Sequence, residues 1–169
     1  DNRLDQLISD CITQFPEGDF DTVLVQGDTA SAFACAIAAF NRQKKIVYLE
    51  SGLRSYNLNH PYPEEAYRQM ISRISDINLC PTELSKNNLI SEKINGIWHV
   101  VGNTVLDNLL EYKSKCEYTN KVLVTLHRRE NHHWMSEWFT ELNNIAKQNP
   151  DLEFTLPIHP NPNVQKHRD

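Results

Sequence analysis

An α/β fold built on parallel sheets is predicted by three features of the chain. Apolar periodicity switches repeatedly between the helical and the extended kind along 169 residues, with no internal repeat. The strand-like runs are short, and a helix-length segment follows nearly every one, the spacing that parallel strands with crossover helices require. Chemically able residues recur just after apolar runs, at Asp28, Glu50 and His127. In open α/β sheets, ligands bind in the crevice beyond the carboxyl ends of the strands.

Taken in order, Leu4, Leu7, Ile8, Cys11, Ile12 and Phe15 mark one face of an opening helix that Pro16 breaks. TVLV, Thr22 to Val25, reads as a buried strand, and Ala30 to Arg42 as a closely packed alanine-rich helix. KIVYLE, Lys45 to Glu50, is the next strand. A long loop then leads to a helix opening at Pro63, a residue suited to a first turn. The strand DINLC, a helix from about Glu83, the strand IWHVV and a helix from Thr104 to about Lys113 come next. The polar stretch KSKCEYTN then precedes a strand KVLVTL, a helix from about Trp134 and a strand LEFTLP. This polar break places a domain boundary near residues 114–120, with domains over 1–116 and 117–169.

With 40% hydrophobic residues the chain can bury a sizeable core, and it reads as soluble and globular. A net charge of −5, from 17 basic and 22 acidic residues, offers no field to gather nucleic acid. Small-molecule chemistry is the better expectation. The longest apolar stretch, Ala30 to Phe40, is about half of what spans a membrane, and no signal-peptide pattern opens the chain, so no membrane partner and a cytoplasmic location are expected. Cys11, Cys35, Cys80 and Cys116 lack CxxC spacing and all but Cys116 fall in apolar segments, so reduced core thiols are expected. The chain opens on DNRLDQ without methionine and closes on NVQKHRD without a clear end to its last element, as a piece of a longer protein would.

Each polar candidate also has a plain structural reading. Asp28-Thr29 suits a helix cap, and Glu64 and Glu65 suit the positive end of a helix dipole. Gly102-Asn103-Thr104 is a natural strand-to-helix turn, and His159 in PIHPNPN is an acceptable loop residue. The histidines of HRRENHH lack ligands of fixed helical spacing, so no metal is expected.

In combination and in order they say more. GDT (Gly27 to Thr29), ESGLRS (Glu50 to Ser55), PEE with Arg68, Pro81-Thr82, VGNT with Asp107, HRREN (His127 to Asn131) and HPNPNV together resemble the non-hydrolysing UDP-N-acetylglucosamine 2-epimerases. The resemblance runs over nearly the whole chain from Thr22. It implies parallel-sheet, Rossmann-like domains of the glycosyltransferase-B type, both incomplete here: the later part of the N-terminal domain with a connecting helix, then the early part of the C-terminal, nucleotide-binding domain. It further implies interconversion of UDP-N-acetylglucosamine and UDP-N-acetylmannosamine for surface polysaccharide, no cofactor, and a homodimer when full length. Residues before and after the segment would be needed for activity.

Carried over motif by motif, the resemblance makes Asp28, Glu50, Glu64 and His127 catalytic, and Arg54, Arg68, Asn103, Arg128, Arg129 and Glu130 substrate-binding. The chemistry suits the residue types. Inverting C2 requires removal of a weakly acidic proton, departure of UDP and return of a proton on the opposite face, and carboxylates crowded in a cleft can be tuned for such work. A carboxylate at a buried strand end is costly unless used or paired, which makes Arg54 and Arg68 candidate partners for Glu50. Cationic Arg128 and Arg129, with His127, suit a departing diphosphate. Two positions depart from the family pattern: Tyr48 stands where histidine is usual, and Tyr67 where asparagine is. The alternatives are a 2-epimerase of UDP-diacetamido-uronic acids, disfavoured by the eight residues Tyr56 to Pro63, a non-catalytic nucleotide-sugar-binding module, and a glycosyltransferase of like fold.

Overall fold

The computed structural model describes residues 3–110, 112, 117–126, 133–158, 160 and 162–165. The chain divides into two compact units, Asp1–Lys113 and Ser114–Asp169.

In the first unit, strands β1 (Thr22–Gln26), β2 (Lys45–Leu49), β3 (Ile77–Cys80) and β4 (Ile97–Val100) form one parallel sheet in the order β1-β2-β3-β4. Helices α1 (Arg3–Thr13), α2 (Ala30–Asn41), α3 (Glu64–Ile74), α4 (Glu83–Ser91) and α5 (Val105–Leu110) precede, link and succeed these strands. α2 starts where Thr29, in extended backbone, accepts a 3.2 Å hydrogen bond from the Ala32 amide through Oγ1, satisfying a donor that the first turn leaves free. Its alanines at 30, 32, 34, 36, 38 and 39 are all buried, because α2 packs on α1, α3, β1 and β2. Phe33 of α2 stacks on Tyr67 of α3 with ring centroids 4.8 Å apart and planes within 10°. Ile46 and Tyr48, alternate residues of β2, are sealed into the same core with Val25 and Ile71. A smaller cluster of Cys80, Leu89 and Ile94, with Trp98 against it, joins β3, α4 and β4.

Several boundaries differ from those the sequence predicts. Ile8 and Ile12 of α1 pack on the core, but Leu4 and Leu7 remain 43% and 41% exposed, so only part of the predicted apolar face is used. α3 begins at Glu64, leaving Pro63 as the residue that caps it, and α5 stops at Leu110. β2 ends at Leu49, because Glu50 turns to φ +67°, out of the extended region. Cys11 and Cys35 are free and half-buried and Cys80 is free and buried, whereas Cys116 lies outside the described residues.

The second unit holds a parallel pair, β5 (Lys121–Leu123) and β6 (Glu153–Thr155), connected through α6 (Met135–Gln148), with α7 (Pro162–Gln165) beyond. The pairing continues past β5 in a 2.9 Å bond from the Val124 amide to the Thr155 carbonyl. Met135 is its fully buried side chain among the described residues. No described helix is long and apolar enough to cross a membrane.

The turn after β2 depends on Gly52. Its φ is +86°, and a Cβ there would lie 2.2 Å from the backbone oxygen of Ser85 at the start of α4. Gly102 shares the left-handed conformation, at φ +82°, but a Cβ there would meet nothing within 4 Å. Gly52→Ala should therefore combine a backbone penalty with an unrelievable clash and cost about 2–4 kcal/mol. Gly102→Ala should cost only the backbone part, about 1–2 kcal/mol. Urea unfolding of the two variants measures the difference; equal losses would show that α4 gives way.

Candidate active site

The register of β1 and β2 positions the central pair of acids. Val25 is paired with Tyr48 and Gln26 with Leu49 in parallel, so the chain leaves both strands side by side. The Gly27 amide still bonds the Leu49 carbonyl at 3.2 Å, and the next residues are Asp28 on one strand and Glu50 on the other. Both strand exits bend through left-handed backbone, at Gly27 (φ +75°) and Glu50 (φ +67°). For Glu50 that conformation costs about 1–3 kcal/mol, a kind of strain that collects at functional sites. The Glu50 Oε2 atom lies 3.6 Å from the point where a Gly27 Cβ would sit. A Cβ at 27 would thus meet the carboxylate in ordinary van der Waals contact, and what favours glycine there is the left-handed backbone.

Asp28, Glu50, Tyr48 and Arg68 line one pocket of about 180 Å³ together with Gly27 and Leu53. Arg68, from the second turn of α3, grips Asp28 Oδ2 with Nε at 2.8 Å and Nη2 at 2.6 Å. Its Nη1 reaches Glu65 Oε2 at 3.3 Å. The predicted partners of Glu50 are thus engaged elsewhere. Among the described residues Glu50 forms no ion pair with either arginine.

As a partner for Glu50, Arg54 is corrected by the structure. Its side chain is fully buried, with Nε on Glu92 Oε1 at 2.7 Å, Nη2 on Glu92 Oε2 at 3.0 Å and on Ser72 Oγ at 3.2 Å, and Nη1 on the Leu53 carbonyl at 2.9 Å. It clamps the turn to the end of α4 and does not line the pocket. Four residues along a tight turn carry no guarantee of a shared direction, as they do along a helix. Beneath it, Ser51 Oγ donates to Asn78 Oδ1 at 2.6 Å, and Asn88 Nδ2 bonds the Gly52 carbonyl at 3.0 Å, so the loop is tied down from three elements.

Glu64 and Glu65 separate sharply. Glu64 is not among the residues lining the pocket, although its Oε2 is buried and has no hydrogen-bond partner among the described residues. Glu65, in which the sequence suggests no more than a helix-dipole residue, is fully buried and organises the loop. It accepts hydrogen bonds from the Ser55 amide at 3.0 Å, the Tyr56 amide at 3.2 Å and Gln69 Nε2 at 2.9 Å, besides Arg68. Burial alone would raise its carboxyl. The bonds from Gln69, Ser55 and Tyr56 and the charge of Arg68 outweigh that and hold it below the usual range. Two adjacent glutamates in one sequence give no sign of which will turn inward.

Tyr48 is fully buried, and its hydroxyl has no hydrogen-bond partner among the described residues. Burial first, and then the nearby Asp28 carboxylate, push its hydroxyl above the ordinary tyrosine range, with Arg54 and Arg68 pulling the other way. Asn103 is a turn residue beyond β4, whose Oδ1 accepts from the Val105 amide at 3.1 Å. His127, Arg128, Arg129 and Glu130 lie outside the described residues, as does His159. No group of three or more His, Cys, Asp or Glu suited to a metal ion occurs among the described residues.

The arrangement offers one carboxylate fixed by a guanidinium and a second without an ion pair among the described residues, within one small pocket at the strand exits. Such a pair can hold and move protons on a ligand placed between them.

A family model described as UDP-N-acetylglucosamine 2-epimerase matches residues 2–168. A UDP-N-acetylglucosamine 2-epimerase of Neisseria meningitidis is 40% identical over 165 residues, which cover 86% of this chain and 44% of that protein. One from Campylobacter jejuni is 42% identical over 171 residues, covering 85% and 44%. Among solved structures, a Neisseria meningitidis UDP-GlcNAc 2-epimerase bound to UDP-GlcNAc superposes with a TM-score of 0.83 at 36% identity, over 97% of this chain and 49% of that one. A Staphylococcus aureus co-structure with UDP gives a TM-score of 0.84 at 32% identity, with the same coverage. The chain thus spans about half the length of its relatives. Its parallel α/β architecture is the Rossmann-like, glycosyltransferase-B type of these enzymes.

The buried Glu65 generates a pH prediction. Because its pKa is lowered on folding, its contribution to stability is complete above the ordinary glutamate value of 4.5 and is lost as pH falls through the lower, folded value. At neutral pH, Glu65→Gln should cost about 1–3 kcal/mol. The gap between variant and wild type should close as pH drops below 4.5. Chemical denaturation across that range measures it; a gap that is constant with pH would assign the loss to packing.

Proposed function

The chain belongs to the UDP-N-acetylglucosamine 2-epimerase family, and we propose that the protein carrying it inverts C2 of UDP-N-acetylglucosamine to give UDP-N-acetylmannosamine without net hydrolysis. The observation that carries this reading is the placement of Asp28 and Glu50 on adjacent strand exits, in one pocket, with Arg68 holding the first. In this reading a carboxylate takes the C2 proton while the C1–O bond to UDP breaks on the opposite face, leaving a C1–C2 double bond. UDP oxygen then returns to C1 as a proton is delivered to C2 from the other side. Protons and leaving group balance, and no cofactor is called for.

Asp28 and Glu50 are assigned the proton transfers, with Glu64 as a third acid that a bound ligand or a closed state would have to bring in. His127, Arg128 and Arg129 are assigned the charge that develops on departing UDP, the demand that preorganised cationic donors meet best. Asn103 and Glu130 are assigned substrate contacts. The product suits surface polysaccharide synthesis. Since the chain spans 44% of the matched relatives, the activity is assigned to the whole protein, and the 169-residue segment alone is expected to be inactive.

Incubating the intact protein with UDP-N-acetylglucosamine in deuterated water should place deuterium at C2 and yield the manno epimer. Substrate recovered with C2 fully protonated and no epimer formed would reject the reading. Glu50→Gln should leave the fold intact and lower turnover by about two to four orders of magnitude. Near-normal kinetics would return Glu50 to a structural role.

A further inference from the structure

We propose that the Tyr48 hydroxyl is a binding contact for a neutral oxygen of the sugar, a hydroxyl or an amide carbonyl, an inference that rests on the nucleotide-sugar reading above. Buried polar groups are almost always hydrogen-bonded, and one left alone is costly. Tyr48 is fully buried, its ring is fixed in the core by β2, and its hydroxyl meets no partner among the described residues. The same residue lines the pocket that holds Asp28 and Glu50. A tyrosine wanted only for its bulk would be served equally well by phenylalanine.

The charge around it selects the kind of ligand. Asp28 and Glu50 set two carboxylates against the single guanidinium of Arg68, which is already shared with the buried Glu65. An anionic diphosphate would be repelled there, whereas an uncharged group finds a donor in Tyr48 and acceptors in the acids. Because burial raises the hydroxyl's pKa, Tyr48 stays protonated and able to donate at working pH. The pocket, at about 180 Å³, is smaller than the roughly 300–1,000 Å³ of sites that enclose a whole ligand, and so suits one ring or substituent of a larger one.

Tyr48→Phe in the intact protein removes the hydroxyl and little else. With no internal partner lost, the ligand-free melting temperature should be unchanged or raised. The KM for UDP-N-acetylglucosamine should rise about 3- to 10-fold with kcat within about twofold, the signature of a contact made equally in ground and transition states. The stabilisation conferred by UDP-N-acetylglucosamine should shrink in step. An unchanged KM and an unchanged ligand-induced shift would overturn the proposal, as would a lower ligand-free melting temperature, which would make the hydroxyl part of the scaffold. The two readings separate cleanly. Wild type that neither exchanges C2 hydrogen nor is stabilised by UDP-N-acetylglucosamine rejects the function and this contact together. Active wild type with an indifferent Tyr48→Phe rejects the contact alone.

Discussion

Arg68 is the hinge of the arrangement, because one guanidinium answers both a structural and a chemical carboxylate. On one side it meets Glu65, two of whose four hydrogen bonds fix the turn at Ser55 and Tyr56 to α3. On the other it meets Asp28 at the exit of β1. A buried ion pair is rarely a source of net stability, since desolvation consumes most of its attraction, but a member left alone is expensive. The constraint therefore acts on geometry. The helix cannot shift without stranding the buried charge of Glu65, and the two bonds to the partly exposed Asp28 set the pocket wall between helix and strand exit.

The second constraint is steric and lies in the backbone. Parallel pairing brings Gln26 and Leu49 abreast, and without further bending the next residues would run on past each other. The left-handed turns at Gly27 and Glu50 stop that extension, and Gly52 lets the loop press against the Ser85 carbonyl. Arg54 and Glu92 then lock the loop from below. The carboxylate of Glu50 is thus offered to the pocket by a loop that is held at several points, which is how a non-glycine residue can be kept in a costly conformation.

The parallel sheet of the first unit and the place of Asp28 and Glu50 were legible because both come from simple periodicities: apolar runs mark strands, and residues just past a strand end face the crevice. Side-chain choice within a turn or between neighbours was not. Arg54 sits four residues from Glu50, yet its target is Glu92, a contact across 38 residues that no local pattern encodes. Glu65 rather than Glu64 became the buried hub because the helix phase relative to the Ser55 loop decides which carboxylate turns in, and that phase is set by packing such as Phe33 on Tyr67. Tyr48 stood out in the sequence only as a departure from the family pattern, because an aromatic residue in an apolar run looks the same whether or not its hydroxyl is satisfied. Strand ends were overestimated where apolar residues continue beyond the ladder, as at β5, which spans Lys121–Leu123 with one further bond from the Val124 amide.

The alanine-lined helix α2 carries an implication for sequence drift. A buried alanine has no side-chain torsion with which to accommodate a neighbour, so a larger residue at 34, 36, 38 or 39, all wholly enclosed, must push whole elements apart. Glycine there would loosen the helix by about 1 kcal/mol per site. Both directions of change are therefore closed, and this inconspicuous stretch, with no chemistry of its own, has less freedom to vary than the exposed rim of the pocket it supports.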